Sequence, residues 1–219
     1  MQVSHETIYR TLFVQSRGVF KRELVRHLRR RAPMRRPRVV GVIPAGPLAD
    51  AVSIADRPAS VEDRAVPGHW EGDLLSGTID SHIATLVERQ SRFVMLVRLP
   101  TKDAGVVARA LAKQIGTLPH CLRQSLTWDR GRELAAHRQF TVATDVQVYF
   151  CDPHSPWQRG SNENTNGLLR QYLPRGTDLS AYSQAALNRI ARELNQRPRK
   201  TLGFQTPADM LAQIVASIG

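Results

Sequence analysis

Three carboxylates sit where a plain fold has little use for them. Asp73 falls in the middle of a strand-like run, GHWEGDLLSG; Asp129 ends another, LTWDRG; Glu163 lies in a helical stretch, WQRGSNENTNGLLRQY. Aspartate is depleted from strand interiors, so Asp73 needs a reason to be there. Two aspartates and a glutamate brought together suit hard divalent cations, because Mg²⁺ takes oxygen ligands: a few carboxylates plus substrate phosphate. Two such ions, about 3.5–4 Å apart, stabilise the attacking and leaving oxygens of an in-line displacement at phosphorus. Plainer readings stand beside this one. Asp73 reads equally as an edge-strand or turn residue, and Asp129 as the cap of a following helix. Glu163 reads as an ordinary partner of Arg159 four residues earlier, worth about 0.2–0.5 kcal/mol. His69, His82, His137 and His154 read as hydrogen-bonded surface or core histidines rather than ligands, and Trp70 and Trp128 as core.

The elements that must hold these acids begin near residue 68. Strand patterns cover Trp70–Leu75, His82–Glu88 and Arg92–Leu99, the last two close enough for a hairpin. Thr101 or Asp103 caps a helix running through Ile115, with Val107, Leu111 and Ile115 on one face and Gly116 after its end. Ser125–Asp129 and Val146–Cys151 read as further strands around a short helix. Ser155-Pro156 opens a long helix in the favoured cap-then-proline order. On it, Arg159, Glu163, Asn166 and Arg170 share a wet, anion-friendly side, while Trp157, Ser161, Leu168 and Tyr172 face the core. Helices over Ser183–Asn195 and from Pro207 complete the pattern. This order describes an α/β fold: a mixed five-stranded sheet flanked by helices.

Charge supplies the partner. The 219 residues carry a net charge of +12, and residues 1–40 alone hold eleven bases against Glu6 and Glu23. That asymmetry suits a polyanion, because neutralising phosphates releases condensed counterions. An acidic membrane surface satisfies the same charge, but nucleic acid is the favoured partner. The apolar runs are too short to span a membrane, which takes about 20 residues. Met1–Gln15 lacks the apolar core and cleavage site of a secretory signal. Cys121 and Cys151 have no paired spacing, so neither a disulfide scaffold nor a zinc site is expected. The expected organisation is a helical remnant at 1–16, a basic arm and Pro-rich linker at 17–66, and a catalytic core with C-terminal helices at 67–219. Within the arm, Lys21, Arg22, Arg26, Arg29, Arg30 and Arg31 are the expected DNA contacts, joined from the core by Arg159, Asn162, Asn166 and Arg170.

The strings PGHWEGDLL, LTWDRGREL and HSPWQRGSNENTNGLLRQYLPRGTDLS closely resemble the DDE transposases of bacterial insertion sequences, in the subgroup named after insertion sequence thirty. Fifty-five residues separate Asp73 from Asp129 and 33 separate Asp129 from Glu163, the subgroup's final interval. LNQRPRKTLGFQTP, from Leu194 to Pro207, matches its C-terminal signature. The resemblance implies an RNase H-like (integrase core) fold with Asp73, Asp129 and Glu163 as catalytic and metal-binding residues. It implies two Mg²⁺ or Mn²⁺ ions, cleavage at inverted-repeat ends and attack of the freed 3′-hydroxyl on target DNA. It further implies a homo-oligomer assembled on DNA and a bacterial cytoplasmic, nucleoid-associated location. VSHETIYRTL resembles only the last helix of the family's helix-turn-helix region, and the chain starts there. The expectation is therefore a transposase with weakened end recognition. The alternatives are a non-catalytic DNA-binding or inhibitory fragment and a structure-selective nuclease on the same fold.

Overall fold

The computed structural model describes residues 51–58, 61, 66–153 and 155–218. The helical remnant at 1–16, the arm residues 17–50 and His154 lie outside the described residues. The expected sheet is present, with five strands: β1 (His69–Ser76), β2 (His82–Glu88), β3 (Val94–Leu99), β4 (Ser125–Trp128) and β5 (Gln147–Phe150). Their order is β3-β2-β1-β4-β5. The first three form an antiparallel meander, and β4 and β5 run parallel to β1.

Among the described residues five α-helices accompany it, four of them packed on its faces. α1 (Ala104–Ile115) and α2 (His137–Thr144) lie on one face; α3 (Gly160–Leu169) and α4 (Gln184–Asn195) lie on the other; α5 (Pro207–Ile218) follows α4. The period-2 alternation of β1 sorts its side chains between two cores. Trp70 joins Leu86, Leu126, Trp128, Phe140 and Phe150 under α1 and α2. Leu75 joins Ile83, Val87 and Leu96 under α3 and α4. Asp73 follows the parity of Leu75, so it faces the α3 side. Asp103 caps α1 through Val106 N–H at 3.1 Å, and Ser183 caps α4 through Ala186 N–H at 3.2 Å.

Local chemistry moved two boundaries. β3 starts at Val94 rather than Arg92, because Arg92 turns the chain with φ 63° and its N–H donates to Glu88 O at 3.0 Å. The helix expected from Ser155 opens instead as a tight 3₁₀ turn, Pro156–Arg159, and Ser155 makes no side-chain cap. Arg159 at the junction has φ −120° and ψ 40°, outside helical geometry. The end of the expected linker also packs on the core. Ser53 bridges Phe150 in parallel and Phe150 N–H donates to Val52 O at 2.9 Å, so this segment covers the β5 edge that would otherwise stay open.

Candidate active site

The parallel register of β1 and β4 pairs Glu71 with Thr127. Two residues further on come Asp73, still within β1, and Asp129, the first residue after β4 ends. Each is pinned by backbone: Leu74 N–H donates to Asp73 Oδ1 at 2.9 Å, and Gly131 N–H donates to Asp129 Oδ1 at 3.1 Å. The second contact is a local turn; the helix cap anticipated for Asp129 is not made, because the 3₁₀ turn Arg132–Leu134 starts from Gly131 without a side-chain cap. The neighbour that brings the two together is Arg159, whose Nη1 lies 3.3 Å from Asp73 Oδ1 and whose Nη2 lies 3.6 Å from Asp129 Oδ2.

From α3, Asn166 Nδ2 donates to Asp73 Oδ2 at 2.9 Å, leaving its own Oδ1 buried with no hydrogen-bond partner. Glu163 lies one turn before Asn166 and is exposed. Among the described residues, no three His, Cys, Asp or Glu side chains are grouped to hold a metal ion. Asp73 and Asp129 thus flank one guanidinium, and Glu163 is not grouped with them. Like-charged carboxylates repel, and here the guanidinium relieves only the pair it touches.

Two residues expected on the DNA-facing side are turned into the protein in this structure. Arg159 is 6% exposed and turned inward, its Nη1 also donating to Gly72 O at 2.9 Å. The helical-face reading failed there because the residue belongs to the 3₁₀ turn rather than to α3. Asn162 is fully buried and bonded on every side: its N–H reaches Glu71 Oε2 at 2.9 Å, its Nδ2 reaches Glu71 O at 2.8 Å, and Thr85 Oγ1 donates to its Oδ1 at 3.1 Å. Trp157, expected in the core, is 73% exposed. Arg170 is half-buried and donates to Leu173 O at 3.4 Å.

Glu71 escaped the sequence reading. It is a buried acid on the Asp73 face, paired with Arg89 at 3.0 Å, and it anchors α3 through Asn162. The available signal was the i, i+2 spacing of WEGD, which puts both acids on one side of a strand. His69 and His82 are hydrogen-bonded as expected, His69 Nδ1 to Ser125 Oγ at 2.8 Å and His82 Nε2 to Asp80 at 2.9 Å. His137 instead packs edge-on against Phe150 with both ring nitrogens buried and unpaired.

Burial pushes the Asp73 carboxyl above its ordinary range; Arg159 pulls it back down and Asp129 adds to the rise. An acid whose folded pKa is raised contributes stability below its unfolded pKa and loses it as pH climbs through the folded value. At neutral pH the metal-free fold bears the cost of ionising Asp73. Asp73→Asn removes that cost, so in chelator at pH 7 this variant should melt at or above the parent temperature. The margin should shrink as pH falls toward the carboxylate range. A variant melting several degrees below the parent would contradict this.

The donor chemistry suits a divalent ion. Two anionic carboxylates already share one cation, and an orphaned amide oxygen stands beside them.

The sequence model of an integrase core domain matches residues 63–156. The transposase for insertion sequence element IS1086 of Cupriavidus metallidurans is 51% identical over 99% of this chain and 64% of its own length. Transposase InsI for element IS30A of Escherichia coli is 50% identical over 99% of this chain and 57% of its own. The chain thus spans about three-fifths of the length of the curated relatives it matches. The catalytic core domain of BIV integrase superposes with a TM-score of 0.54 at 22% identity, covering 69% of this chain and 99% of that one. That likeness establishes the RNase H-like fold.

Proposed function

Since the chain belongs to the IS30-type insertion-sequence transposases, we propose that it cuts DNA at element ends and transfers the freed strand, with Asp73, Asp129 and Glu163 as its catalytic carboxylates. The observation that carries this reading is the pairing of Asp73, in β1, and Asp129, just past the end of the adjacent parallel β4, over a single cation.

In the joining step the 3′-hydroxyl oxygen bonds to a target phosphorus, the opposite P–O bond breaks to leave a new 3′-hydroxyl, and the nucleophile's proton passes to solvent. Bound Mg²⁺ or Mn²⁺ supplies charge neutralisation at phosphorus and lowers the pKa of the attacking hydroxyl. Asp73, Asp129 and Glu163 are the residues to hold it, and the orphaned Asn166 oxygen stands beside them. The backbone bonds to Asp73 and Asp129 fix carboxylate orientation before DNA arrives, which spares reorganisation during reaction. Arg170 and Asn166 flank the site as phosphate contacts, and the chain works as a homo-oligomer on DNA. Among the described residues no helix is long and apolar enough to cross a membrane. The bacterial cytoplasm and its nucleoid are the place proposed for this work.

The test is strand transfer with pre-cleaved element ends, which bypasses end cleavage. Mg²⁺ or Mn²⁺ should support it, while Ca²⁺ should permit DNA binding with little turnover. An inert chain that is folded and metal-replete on this substrate would favour a DNA-occupying, non-catalytic role.

The basic arm gives a second expectation. Lys21, Arg22, Arg26, Arg29, Arg30 and Arg31 should bind duplex DNA with little sequence preference. Each phosphate contact contributes about 0.9 to the log–log salt slope, so replacing all six by Gln should flatten it by up to about 5. An unchanged slope would assign the contacts to the core.

A further inference from the structure

Among the described residues two buried arginines face acids, and they are held differently. Arg89 meets Glu71 at 3.0 Å, and the other Glu71 oxygen is occupied by Asn162 N–H. That pair is part of the architecture. Arg159 stands off its two aspartates at 3.3 and 3.6 Å, longer than the 2.7–2.9 Å usual for charge-assisted bonds, while its Nη1 also donates to Gly72 O at 2.9 Å. Its hold on the two aspartates, as distinct from its bond to Gly72, is therefore chiefly one of charge.

Charge is also what the divalent ion would use. Asp73 and Asp129 together carry two negative charges when ionised, and the guanidinium neutralises one of them. A divalent ion on the same oxygens would face that guanidinium at close range, and two cations sharing one pair of carboxylates repel strongly where water is excluded. One of them has to withdraw. The Arg159 side chain is a flexible stem set at a 3₁₀-to-α junction, with backbone outside helical geometry.

We propose that Arg159 is a built-in competitor for the divalent ion: it holds Asp73 and Asp129 together before metal binds, and swings off them when metal and a DNA phosphate arrive. This rests on the transposase reading of the site. Its consequence is ordered assembly. Without DNA the guanidinium keeps metal affinity low; a DNA phosphate offers it another anion, so the two ligands favour each other. In this role Arg159 acts through the aspartates, as a positioning residue.

The experiment is a Mn²⁺ titration of the full chain without DNA, read by calorimetry or by the paramagnetic resonance of free Mn²⁺. Arg159→Gln should bind Mn²⁺ about tenfold more tightly than the parent, because a cation beside the site is gone. Arg159→Lys keeps the charge and should stay within about threefold of the parent. Asp73→Asn should weaken binding in every background. Equal or weaker binding by Arg159→Gln, with the Asp73 dependence intact, would overturn the competitor role and leave the site reading standing. Mn²⁺ binding indifferent to Asp73 would overturn both. Should Arg159→Gln fail to fold, the parent chain decides alone: the Arg159 Nε–H resonance should shift on Mg²⁺ titration, and a resonance that stays fixed while Mg²⁺ binds would overturn the proposal.

Discussion

Asp73→Asn should abolish strand transfer, by about 10³-fold or more, while the fold and most of the DNA affinity survive. The carboxamide keeps the shape that Leu74 N–H and Asn166 recognise but loses the negative charge that anchors a divalent ion. Losing several kcal/mol of charge stabilisation at phosphorus corresponds to that factor, at about tenfold per 1.4 kcal/mol. Asp129→Asn and Glu163→Gln should fall by similar factors, because each alone would leave the metal site incomplete. The comparison that matters is among variants with parental melting curves on the same pre-cleaved substrate. Activity persisting in Asp73→Asn and Glu163→Gln together would rule out the assignment.

A methyl group one residue away should do nearly as much damage by another route. Gly72 lies under the ring of Trp128, and a Cβ added there would sit 2.2 Å from Cζ3 and 2.4 Å from Cε3. The ring is 1% exposed and packed in the core with Leu126, Phe140 and Phe150, so it cannot tilt away freely. Overpacking of this kind costs about 1–3 kcal/mol, and more when backbone has to move. For a chain of this size Gly72→Ala should lower the melting temperature by about 5–10 °C. Trp128 precedes Asp129 and Gly72 precedes Asp73, so the strain falls on both catalytic strands and transfer activity should drop with it. Trimming the ring, in Gly72→Ala with Trp128→Leu, should recover part of both losses. A Gly72→Ala protein with parental stability would show that the strands separate more easily than this packing implies.

Much of this arrangement was legible in the residues. The strand pattern put Asp73 inside β1 and Trp70 in the core, and of the two caps open for the first helix, Thr101 and Asp103, the structure keeps Asp103. The flanks and spacing of Asp73, Asp129 and Glu163 made a joint case that no single acid made alone. What stayed hidden depended on geometry the residue types do not encode. Extending an α-helical face back to Arg159 assigned it to solvent, whereas a 3₁₀ turn rotates it beneath the sheet's aspartates. Asn162 looked like a polar surface residue because its partners, Glu71 and Thr85, lie 91 and 77 residues away in the chain. The inner face of α3 buries Ser161, Asn162 and Thr165 beside Leu168 and Leu169, so apolar periodicity could not find it.

The central claim is that Asp73, Asp129 and Glu163 form one metal-holding site. The most direct measurement is a crystal structure of the full chain with Mn²⁺, located by anomalous scattering, alone and with a pre-cleaved end duplex. The account predicts a Mn²⁺ ion bridging Asp73 and Asp129 with the Arg159 guanidinium withdrawn, and Glu163 drawn in as a ligand when DNA is present. Manganese bound elsewhere, with the guanidinium still between the two aspartates and Glu163 still in solvent on the DNA complex, would contradict it.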